Sequence, residues 1–492
     1  MIITRFPPSP TGDPHIGNIR TALFAYLFAK SQGGKFLFRI EDTDRERHVE
    51  NSIQTIKDAL IWLGITPENI DNPMIQSKRL EIYKKAALEL VEKGDAYICT
   101  CSKERLEEVR TRQKALGQPP RYDGHCRKEL RIKNEELRTN GIPEGAVIRM
   151  KIPETGKIAF DDLVRGRVEF DYSTLDDQVI LKSDGFPTYH LASVIDDHEM
   201  KITHVIRAEE WLPSTPKHLK LYDMFGWEPP KFAHLPIILS PTHGKLSKRD
   251  GAVGIMEYKK MGYLPEALIN FMVLLGWNPK TPHKIRGERE EEYFNLSELE
   301  KRFKIEQVNK AGAIFDINKL NYFNQYYIRQ KSASVLVPLL DEKIVKFLPQ
   351  ENLGKIIEIA KQRMTTLSDF KEQVGFIVKE PKIDPQKLVF KKPALSGASA
   401  KSNGSTVEAT TKALGLVLVK LKTTGNWTQD HIKAVLESIV NQNNLTNGDV
   451  FWPMRYSLSG EEKSPPPEEL AEVLGKEKTV KRIKSALNIL NS

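Results

Sequence analysis

Cysteine is scarce in this sequence, and long hydrophobic runs are absent. The 492 residues include three cysteines, Cys99, Cys101 and Cys126, which are too few and too clustered for a disulfide framework. The amino terminus has no basic head followed by an apolar stretch, and no run approaches the ~20 apolar residues of a membrane-spanning helix. We therefore expect a cytoplasmic protein in a reducing compartment, with neither a signal peptide nor a membrane span.

A large charge excess is also lacking. Lysine and arginine number 74 against 65 acidic residues, which gives a net charge of +9 and a pI near 9.1. This moderate excess permits a polyanionic partner without requiring one. The length allows roughly three domains of ~150 residues, so burial of a core is not limiting.

The first informative stretch is a rigid loop between a strand and a helix. Ile2–Thr4 is a short apolar run, and three prolines with Gly12 stiffen the residues that follow. After this loop comes a helical pattern of apolar residues that includes Ile19. Its first-turn N–H groups and dipole favour an anion, so His15 can point at a phosphate bound there, while Gly17 leaves room for a flat base. The stretch indicates a nucleotide site, with a proline-rich turn and a surface histidine as the alternative.

Strand and helix patterns then alternate. Lys35–Ile40 has the pattern of a strand, and helical patterns follow at 49–63 and 78–93, which predicts a doubly wound parallel sheet. Carboxylates cluster at 41–44, at the end of a strand where ligands bind in such sheets. A carboxylate there suits an ammonium group, and an acidic helix N-cap is the alternative.

The segment from about 97 to 185 breaks this rhythm and predicts a small α+β insertion. We predict strands over Ala146–Ile152 and Ile158–Phe170, joined by a glycine turn. The three cysteines lie in this insertion, beside Tyr122 and His125, and could hold a tetrahedral Zn²⁺. Three unpaired thiols are the alternative.

Polar residues again follow strand ends once the sheet resumes. Tyr189, Arg207 and Glu210 lie beside strand-like runs, where site residues collect. Asp196–His198 resembles a metal triad, but adjacent side chains on one helix cannot all face one ion. We interpret this triad as structural or sugar-contacting.

A second loop indicates the class of the site. Ser240–Gly251 follows the strand-like Leu235–Leu239 and carries Lys245 and Lys248 three residues apart. Alone, it has the character of a solvated basic loop. Together with the loop that contains His15, however, it resembles the paired HIGH and KMSKS signatures of class I aminoacyl-tRNA synthetases, in the right order and each at a strand end.

The resemblance extends to the bacterial glutamyl-tRNA synthetases and covers nearly the whole catalytic half. The matching stretches are Arg5–Gly12, Arg39–Asp44, Tyr122–Gly124, Pro187–His190, Ile206–Trp211 and Lys245–Arg249. The carboxyl-terminal half is also similar to that family. The resemblance implies an α/β fold: a class I Rossmann-type doubly wound parallel sheet with an α+β insertion, followed by an all-helical anticodon-binding region.

The same resemblance implies a division of the chain into domains. Residues 1–98 and 186–251 would form the two halves of a Rossmann catalytic domain, the second carrying the lysine loop. Residues 99–185 would be an insertion that binds the tRNA acceptor end, 252–322 a helical connector that contacts the tRNA stem, and 323–492 a helical anticodon-binding domain.

Periodicity in the later regions is helical. Leu264–Gly276 has the pattern of an apolar helix, and a stripe of apolar residues from Ile432 to Val440 follows Thr428, a predicted N-cap. Such a stripe predicts core packing. The Ser/Gly/Ala-rich run at 395–406 predicts a flexible loop, to which we assign no role.

Members of this family activate L-glutamate with ATP and Mg²⁺ and transfer it to the 2′-hydroxyl of the terminal adenosine of tRNA(Glu). The residues that this resemblance assigns to glutamate are Arg5, Ser9, Glu41, Tyr189 and Arg207. Those that it assigns to ATP are Pro8, Ser9, Thr11, His15, Gly17, Asn18, Lys245 and Lys248. Three of these, His15, Lys245 and Lys248, would bind the phosphates and stabilise the transition state. Glu210 and Trp211 would lie near the terminal adenosine of the tRNA.

The resemblance also concerns the cysteines and the anticodon. Zinc-containing members often carry a histidine two residues beyond the third cysteine, where this chain has Lys128, so the related Tyr-x-x-x-Cys arrangement favours Tyr122 as fourth ligand over His125. Arg363 matches the arginine that reads the last anticodon base in glutamate-specific members, which predicts rejection of tRNA(Gln). An exposed helical arginine is the alternative. A monomer is expected from the family alone.

Three rival interpretations differ in identifiable features. A glutaminyl-tRNA synthetase would have Pro-Glu-Pro-Asn where this chain has Pro8–Thr11, and a β-barrel anticodon region. A glutamyl-queuosine-type enzyme would lack the carboxyl-terminal third. A non-catalytic RNA-binding paralogue would not need the two phosphate motifs that His15, Lys245 and Lys248 represent.

Overall fold

The computed structural model describes residues 1–44, 49–128, 142–244, 246, 253–279, 292–390 and 405–491. The chain divides into two compact units. The first comprises Met1–Lys260 and Pro265–Leu320, and the second comprises Met261–Leu264 and Asn321–Ser492. Lys245, Lys248 and most of the predicted loop at 395–406 lie outside the described residues.

Strands are found in the first unit. They are β1 Ile3–Phe6, β2 Lys35–Ile40, β3 Met74–Ile75, β4 Ala96–Cys99, β5 Val147–Met150, β6 Lys157–Asp162, β7 Gly166–Asp171, β8 Val179–Leu181, β9 His204–Ala208, β10 Lys231–Leu235, β11 Ile238–Leu239 and β12 Ala313–Ile314. The helices of this unit are α1 Ile16–Ser31, α2 Ser52–Trp62, α3 Leu80–Lys93, α4 Lys103–Ala115, α5 His125–Lys128, α6 Tyr189–Glu199, α7 Thr215–Phe225, α8 Ile255–Lys260, α9 Pro265–Leu274 and α10 Leu296–Arg302.

The central sheet is doubly wound and largely parallel, as the sequence predicts. Strands β1, β2 and β3 pair in parallel on one side, and β9, β10 and β6 pair in parallel on the other. The two halves meet where the Thr203 N–H donates to the Ile3 carbonyl at 3.0 Å. The chain therefore leaves β1 in one direction and returns on its other side at β9, which creates a switch point where ligands bind in folds of this kind.

Helix α1 fixes one wall of that switch point. Eleven of its sixteen residues are buried, from Ile16 to Ala29, so the helix is apolar on nearly all sides and lacks the single stripe of a surface helix. Aromatic contacts hold it in place, since Phe24 packs edge-on against Phe303 and Tyr26 against Phe36. This burial sets its first turn, and with it His15, at the carboxyl end of β1.

The insertion is built differently from the prediction. Strands β4, β5 and β8 form an antiparallel sheet, whereas the predicted strand at Ile158–Phe170 is a hairpin of β6 and β7 that joins the central sheet beside β10. The turn of this hairpin follows Asp162, whose carboxylate accepts the N–H groups of Val164 and Arg165. The glycine at 156 thus connects two sheets and does not close a hairpin.

The second unit is helical. Helix α11, Ile317–Gln330, crosses the boundary between the units, and the helices that follow are α12 Ala333–Leu336, α13 Glu342–Lys346, α14 Leu353–Lys361, α15 Phe370–Val378, α16 Pro385–Leu388, α17 Val407–Thr423, α18 Gln429–Gln442, α19 Asn447–Ser459, α20 Pro467–Leu474 and α21 Lys476–Leu490. Thr428 is the N-cap residue of α18, and Ile432, Leu436 and Ile439 are buried, as predicted. No helix in the described part of the chain is long and apolar enough to cross a membrane.

Candidate active site

His15 caps the start of α1. Its Nδ1 accepts the Gly17 N–H at 3.1 Å, and the Asn18 side chain accepts the His15 N–H at 3.3 Å. Because Nδ1 is an acceptor here, the neutral ring carries its proton on Nε2. The imidazole is thereby held over the positive end of the helix dipole, where an anion is favoured.

Gly17 also has a steric role beside His15 that the sequence does not suggest. A Cβ at this position would lie 3.0 Å from Cε1 and 3.1 Å from Nδ1 of His15. Those distances are shorter than ordinary carbon contacts, so a side chain would displace the ring. The glycine therefore makes room for the capping histidine itself.

The loop between β1 and α1 is tied to the end of β2. The Pro8 carbonyl accepts the Glu41 N–H at 3.0 Å, and the Ser9 carbonyl accepts the Thr11 N–H at 2.9 Å. The side chains of Ser9 and Thr11 are exposed. Polar groups of this loop thus face solvent beside the carboxyl ends of β1 and β2.

The residues that follow the lysine loop contact the first loop. The Ile255 N–H donates to the Pro14 carbonyl at 2.9 Å, and Gly254 pairs with His15 in an isolated bridge. Before the lysines, the Gly244 carbonyl accepts the Ser240 N–H at 2.8 Å. Lys245 and Lys248 themselves lie outside the described residues.

Arg5, at the carboxyl end of β1, is held by a carboxylate of α6. Its Nε and Nη2 donate to the two oxygens of Asp197 at 3.1 and 3.3 Å, and its side chain is 2% exposed. Its Nη1 is buried and has no hydrogen-bond partner among the described residues. Burial acts to raise the pKa of Asp197, but the charges of Arg5 and Arg39 outweigh it and keep that pKa below its ordinary value.

Arg39 links this pair to Glu41. Its Nη1 donates to Asp197 at 2.6 Å and its Nη2 donates to Glu41 at 2.8 Å. Burial raises the pKa of Glu41 above its ordinary value, while the charge of Arg39 opposes the rise. Glu41 therefore lies at the end of β2 with one oxygen fixed by an arginine, and α2 is capped further along, at Asn51. Glu41 therefore does not form the acidic helix N-cap that the sequence offers as the alternative role for this cluster of carboxylates.

Arg207, near the carboxyl end of β9, makes its hydrogen bonds to neutral groups. Its Nη1 donates to the Tyr189 hydroxyl at 3.1 Å, its Nη2 to the Thr215 hydroxyl at 2.7 Å, and its Nε to Nε2 of His234 at 3.0 Å. Among the described residues it has no ion-pair partner. Burial lowers its pKa from the ordinary value, as expected for a desolvated cation. Arg207 is thus a buried charge that an anionic ligand would satisfy.

An aromatic wall adjoins Arg207. The rings of Tyr189 and Trp211 lie 4.4 Å apart, and the Tyr189 and His218 rings 5.3 Å apart. Trp211 is 39% exposed and stands in the turn Glu209–Ser214, next to Glu210. The structure therefore brings Tyr189, Arg207 and Trp211 together, and places Glu210 at the same edge.

Several residues of this site escape sequence reasoning. Asp197, the partner of Arg5, belongs to the stretch that we interpreted as structural or sugar-contacting, and its neighbour Asp196 pairs with Arg79 at 3.0 Å. The ring of His234, on β10, accepts a hydrogen bond from Arg207, and the carboxylate of Asp162, on β6, contacts the other nitrogen of that ring. These contacts span tens to nearly two hundred residues along the chain, so no local motif marks them.

The three cysteines converge in the insertion. Their sulfurs lie within 4.8 Å of one another, and those of Cys101 and Cys126 are 3.4 Å apart. A zinc ion at about 2.3 Å from each thiolate would hold the sulfurs about 3.8 Å apart, so this donor set fits a tetrahedral site. The Tyr122 hydroxyl is 3.5 Å from the sulfur of Cys99 and 3.6 Å from that of Cys101. His125 is not part of this cluster among the described residues.

Arg363 lies in the second unit, after α14. It is half-buried, and burial lowers the pKa of Arg455, with a smaller contribution in the same direction from the charge of Arg363. The guanidinium of Arg455 lies 4.7 Å from the ring centre of Trp452. Two arginines and an aromatic ring therefore share one region of the helical unit, a combination that suits contacts with nucleic-acid bases.

Family models match both units. Residues 1–322 match the model described as the catalytic domain of class I tRNA synthetases (E and Q), and residues 333–487 match the model of an anticodon binding domain. The switch-point sheet, the histidine-capped helix and these matches define a class I aminoacyl-tRNA synthetase. The predicted fold class is confirmed.

Relatives that align over nearly the whole chain identify the family within this class. The chain is 44% identical to the glutamate–tRNA ligase of Dehalococcoides mccartyi over 98% of its own length and 97% of the relative, and 40% identical to that of Alkaliphilus metalliredigens over 97% of each. A solved glutamate tRNA ligase from Elizabethkingia meningosepticum, in complex with its amino acid, is 35% identical over 99% of both chains with a TM-score of 0.85. The chain belongs to the glutamate–tRNA ligases. It uses ATP to attach glutamate to tRNA.

Proposed function

We propose that Arg5 and Arg207 together bind the γ-carboxylate of L-glutamate. The observation that supports this assignment is the imbalance of partners: Arg207 lacks an ion pair among the described residues, and Arg5 keeps a buried Nη1 unused. Planar guanidinium groups suit a carboxylate better than lysine does. Tyr189 shapes the same pocket through its hydrogen bond to Arg207.

The α-amino group of glutamate is assigned to Glu41 and Ser9. Glu41 has one oxygen bonded to Arg39, and Ser9 lies on the loop whose Pro8 carbonyl is bonded to the Glu41 backbone. An ammonium group between them would gain a charge-assisted hydrogen bond. This orientation leaves the α-carboxylate of the substrate directed toward the first loop.

ATP is assigned to that first loop and to the lysine loop. Pro8, Ser9, Thr11, Gly17 and Asn18 would surround the nucleoside, whereas His15 with Lys245 and Lys248 would bind the phosphates. The α-carboxylate attacks the α-phosphorus, the bond to the β-phosphate oxygen breaks, and pyrophosphate leaves with its electron pair. Charge on the phosphoryl group is then stabilised by cations that are already in place, while Mg²⁺ accompanies ATP.

Transfer completes the reaction. The 2′-hydroxyl of the terminal adenosine attacks the carbonyl of glutamyl-adenylate, loses its proton, and releases AMP. Glu210 and Trp211, at the exposed edge beside Arg207, are assigned to that end of the tRNA. Because the substrate itself supplies the nucleophile in both steps, the enzyme needs no activated serine or cysteine.

Glutamine is excluded by the same charges. A neutral amide in the pocket would leave the Arg207 charge buried and unpaired, a penalty of a few kcal/mol. We further propose that Arg363 reads the last anticodon base, so that tRNA(Gln) is rejected.

Charging of purified tRNA(Glu) and tRNA(Gln) with labelled glutamate, and with labelled glutamine as control, tests both assignments. We expect glutamate on tRNA(Glu) alone. Glutamate on both tRNAs would remove the discriminating role of Arg363, and an Arg363→Gln variant that charges tRNA(Gln) no better than the parent would do the same. Transfer of glutamine to either tRNA would contradict the assignment of Arg5 and Arg207 to the γ-carboxylate.

A structural zinc ion is proposed for Cys99, Cys101, Cys126 and Tyr122. The phenol oxygen supplies the fourth position, with His125 as the alternative ligand. Metal analysis of protein purified without chelator should find one zinc per chain, and Tyr122→Phe should lower that content while His125→Gln should not. Protein free of zinc would contradict the proposal. We also infer a monomer that works in the cytoplasm, which sedimentation and fractionation can test.

A further inference from the structure

A buried chain of donors and acceptors runs from Arg207 to a carboxylate on the neighbouring hairpin. The Arg207 Nε donates to Nε2 of His234 at 3.0 Å, and Nδ1 of His234 lies 2.6 Å from the Asp162 carboxylate. Thr215 belongs to the same chain, since its hydroxyl accepts from Nη2 of Arg207 at 2.7 Å and lies 3.2 Å from Nε2 of His234. All four side chains are buried.

These contacts specify where the imidazole carries its proton. An ionised carboxylate accepts hydrogen bonds only, so Nδ1 of His234 must be the donor to Asp162. A guanidinium donates only, so Nε2 must be unprotonated to accept from Arg207. The Thr215 hydroxyl accepts from Arg207 and can donate in turn to that same lone pair. His234 is therefore neutral, with its lone pair directed at Arg207.

The alternative protonation states do not fit this geometry. A proton on Nε2 would face the N–H of Arg207 and remove the acceptor for the Thr215 hydroxyl. Burial lowers the pKa of His234 below its ordinary value, although the bond to Asp162 opposes this shift, which agrees with a neutral ring. The Asp162 carboxylate is itself fixed, because it also accepts the N–H groups of Val164 and Arg165.

We propose that His234, with its proton fixed by Asp162, is a positioning residue that orients the Arg207 guanidinium toward the substrate carboxylate. This inference rests on the proposed role of Arg207 in glutamate binding. The choice of an imidazole has a chemical reason. A carboxylate in direct contact would neutralise Arg207 and compete with the substrate, whereas a neutral acceptor fixes the guanidinium plane and leaves its charge for the ligand.

The role predicts a specific kinetic change. Because His234 orients an arginine that binds glutamate, its loss should lower the affinity for glutamate and should not change the binding of ATP or tRNA. In His234→Leu, the Arg207 Nε loses its acceptor, and we expect the KM for glutamate to rise about 10-fold or more. The kcat should change by no more than about 3-fold, and the KM values for ATP and tRNA(Glu) should stay as in the parent. His234→Gln, whose amide oxygen can accept from Arg207, should recover most of the loss.

His204 provides a matched control. It is a buried histidine at the start of β9, the strand that carries Arg207, and its ring contacts Phe28 and Thr203 instead of the pocket. His204→Leu removes a similar side chain from the same unit. If the effect of His234→Leu came from general loosening of the core, His204→Leu would raise the KM for glutamate equally.

Arg207→Lys separates failure of this inference from failure of the underlying assignment. A raised KM for glutamate in Arg207→Lys with an unchanged KM in His234→Leu would overturn the positioning role alone. An unchanged KM in Arg207→Lys would overturn the binding role of Arg207 and the inference with it. If His234→Leu does not fold, Thr215→Val and Thr215→Ser replace it. Equal glutamate KM values in those two variants would then count against the network.

Discussion

At the scale of single residues, the pocket depends on an uneven pairing of charges. Arg5 gives two of its nitrogens to Asp197, and Arg39 shares that carboxylate, whereas Arg207 has only neutral partners among the described residues. A buried cation without a counter-ion costs free energy in the empty site, and the carboxylate of glutamate, bound as we propose, would restore the balance. In the proposed pocket, affinity for glutamate and rejection of glutamine thus have the same physical origin.

Arg5→Ala tests the contribution of the paired arginine. Asp197 keeps Arg39 as its partner in this variant, so the fold should persist, but the substrate loses the charge-assisted hydrogen bonds of Nη1. Such bonds contribute about 1.5–3 kcal/mol, so we expect kcat/KM for glutamate to fall about 10- to 100-fold or more. Steady-state charging at varied glutamate measures it.

Arg79→Ala is the matched control for Arg5→Ala. Arg79 pairs with Asp196, the neighbour of Asp197, and with Glu199, both outside the pocket. Its loss should lower thermal stability while kcat/KM for glutamate stays close to the parent value. Equal loss of kcat/KM in both variants would mean that α6 moved as a whole, and an unchanged kcat/KM in Arg5→Ala would remove Arg5 from the pocket.

The residue scale also shows what a sequence can and cannot reveal. Arg5, Glu41, Tyr189 and Arg207 are recognisable because each sits in a short stretch that resembles the family. Asp162 and His234 are not, because their meaning arises from a contact across 72 residues that depends on which strands become neighbours. The proton on Nδ1 of His234 can be inferred only after that contact is known.

At the scale of elements, the first loop and α1 act as one unit. His15 is the N-cap of α1, Asn18 returns a bond to its backbone, and the ring of His15 occupies the space that a side chain at Gly17 would need. The proposed phosphate contact and helix initiation are therefore coupled. A change that disturbs the cap also moves the proposed phosphate contact.

Gly17→Ala makes this coupling measurable. The added methyl group must push the His15 ring by a few tenths of an ångström, which weakens the bond between Nδ1 and the Gly17 N–H. Loss of an N-cap costs about 1 kcal/mol. We expect a raised KM for ATP and a reduced kcat in charging assays, with a small fall in melting temperature.

Gly354→Ala is the control for that substitution. Gly354 lies in α14, and a Cβ there would meet open space. Alanine favours a helix by about 1 kcal/mol over glycine, so this variant should keep full activity and gain slightly in stability. A Gly17→Ala enzyme with the parent's KM for ATP would contradict the role of His15 at the phosphates.

Element boundaries divide into predictable and unpredictable sets. Helices such as α3, α9 and α18 follow from local periodicity, and Thr428 caps α18 as expected. The pairing of β6 with both β7 and β10 does not follow, because strand neighbours are chosen by burial across the whole sheet and not by the turn between them. The sequence predicts a turn at Gly156 that joins two paired strands, whereas the strands on either side of this glycine, β5 and β6, belong to different sheets.

At the scale of the whole molecule, buried neutral histidines make stability depend on acid. Burial lowers the pKa of His190, with help from the charges of Lys217 and Arg207, to about 4, and burial also lowers the pKa of His204 to about 4. Burial lowers the pKa of His218 as well. In the unfolded chain these rings titrate near 6.5. Between those values the unfolded state binds more protons, so stability falls as the pH drops from about 6.5 toward 4.

Carboxyl groups modify this trend at its lower end. Burial raises the pKa values of Glu41 and Asp196, so these groups favour the folded state slightly as acid is added. Asp197 acts in the opposite sense: its pKa is depressed in the folded state, so its contribution is present above about 4 and is lost below. The histidines therefore dominate the range from about 5 to 6.5.

Substitution of one buried histidine tests this pH dependence of stability. His204→Gln cannot take up a proton, so its melting temperature should fall less than that of the parent between pH 7 and pH 5, even if the variant is less stable at pH 7. Calorimetric scans at both pH values measure the difference. His431→Gln, at an exposed position on α18, should show the same drop as the parent. If the His204 variant also loses as much as the parent, proton uptake by this ring does not contribute, and acid sensitivity between pH 7 and pH 5 must come from other groups such as His190 and His218.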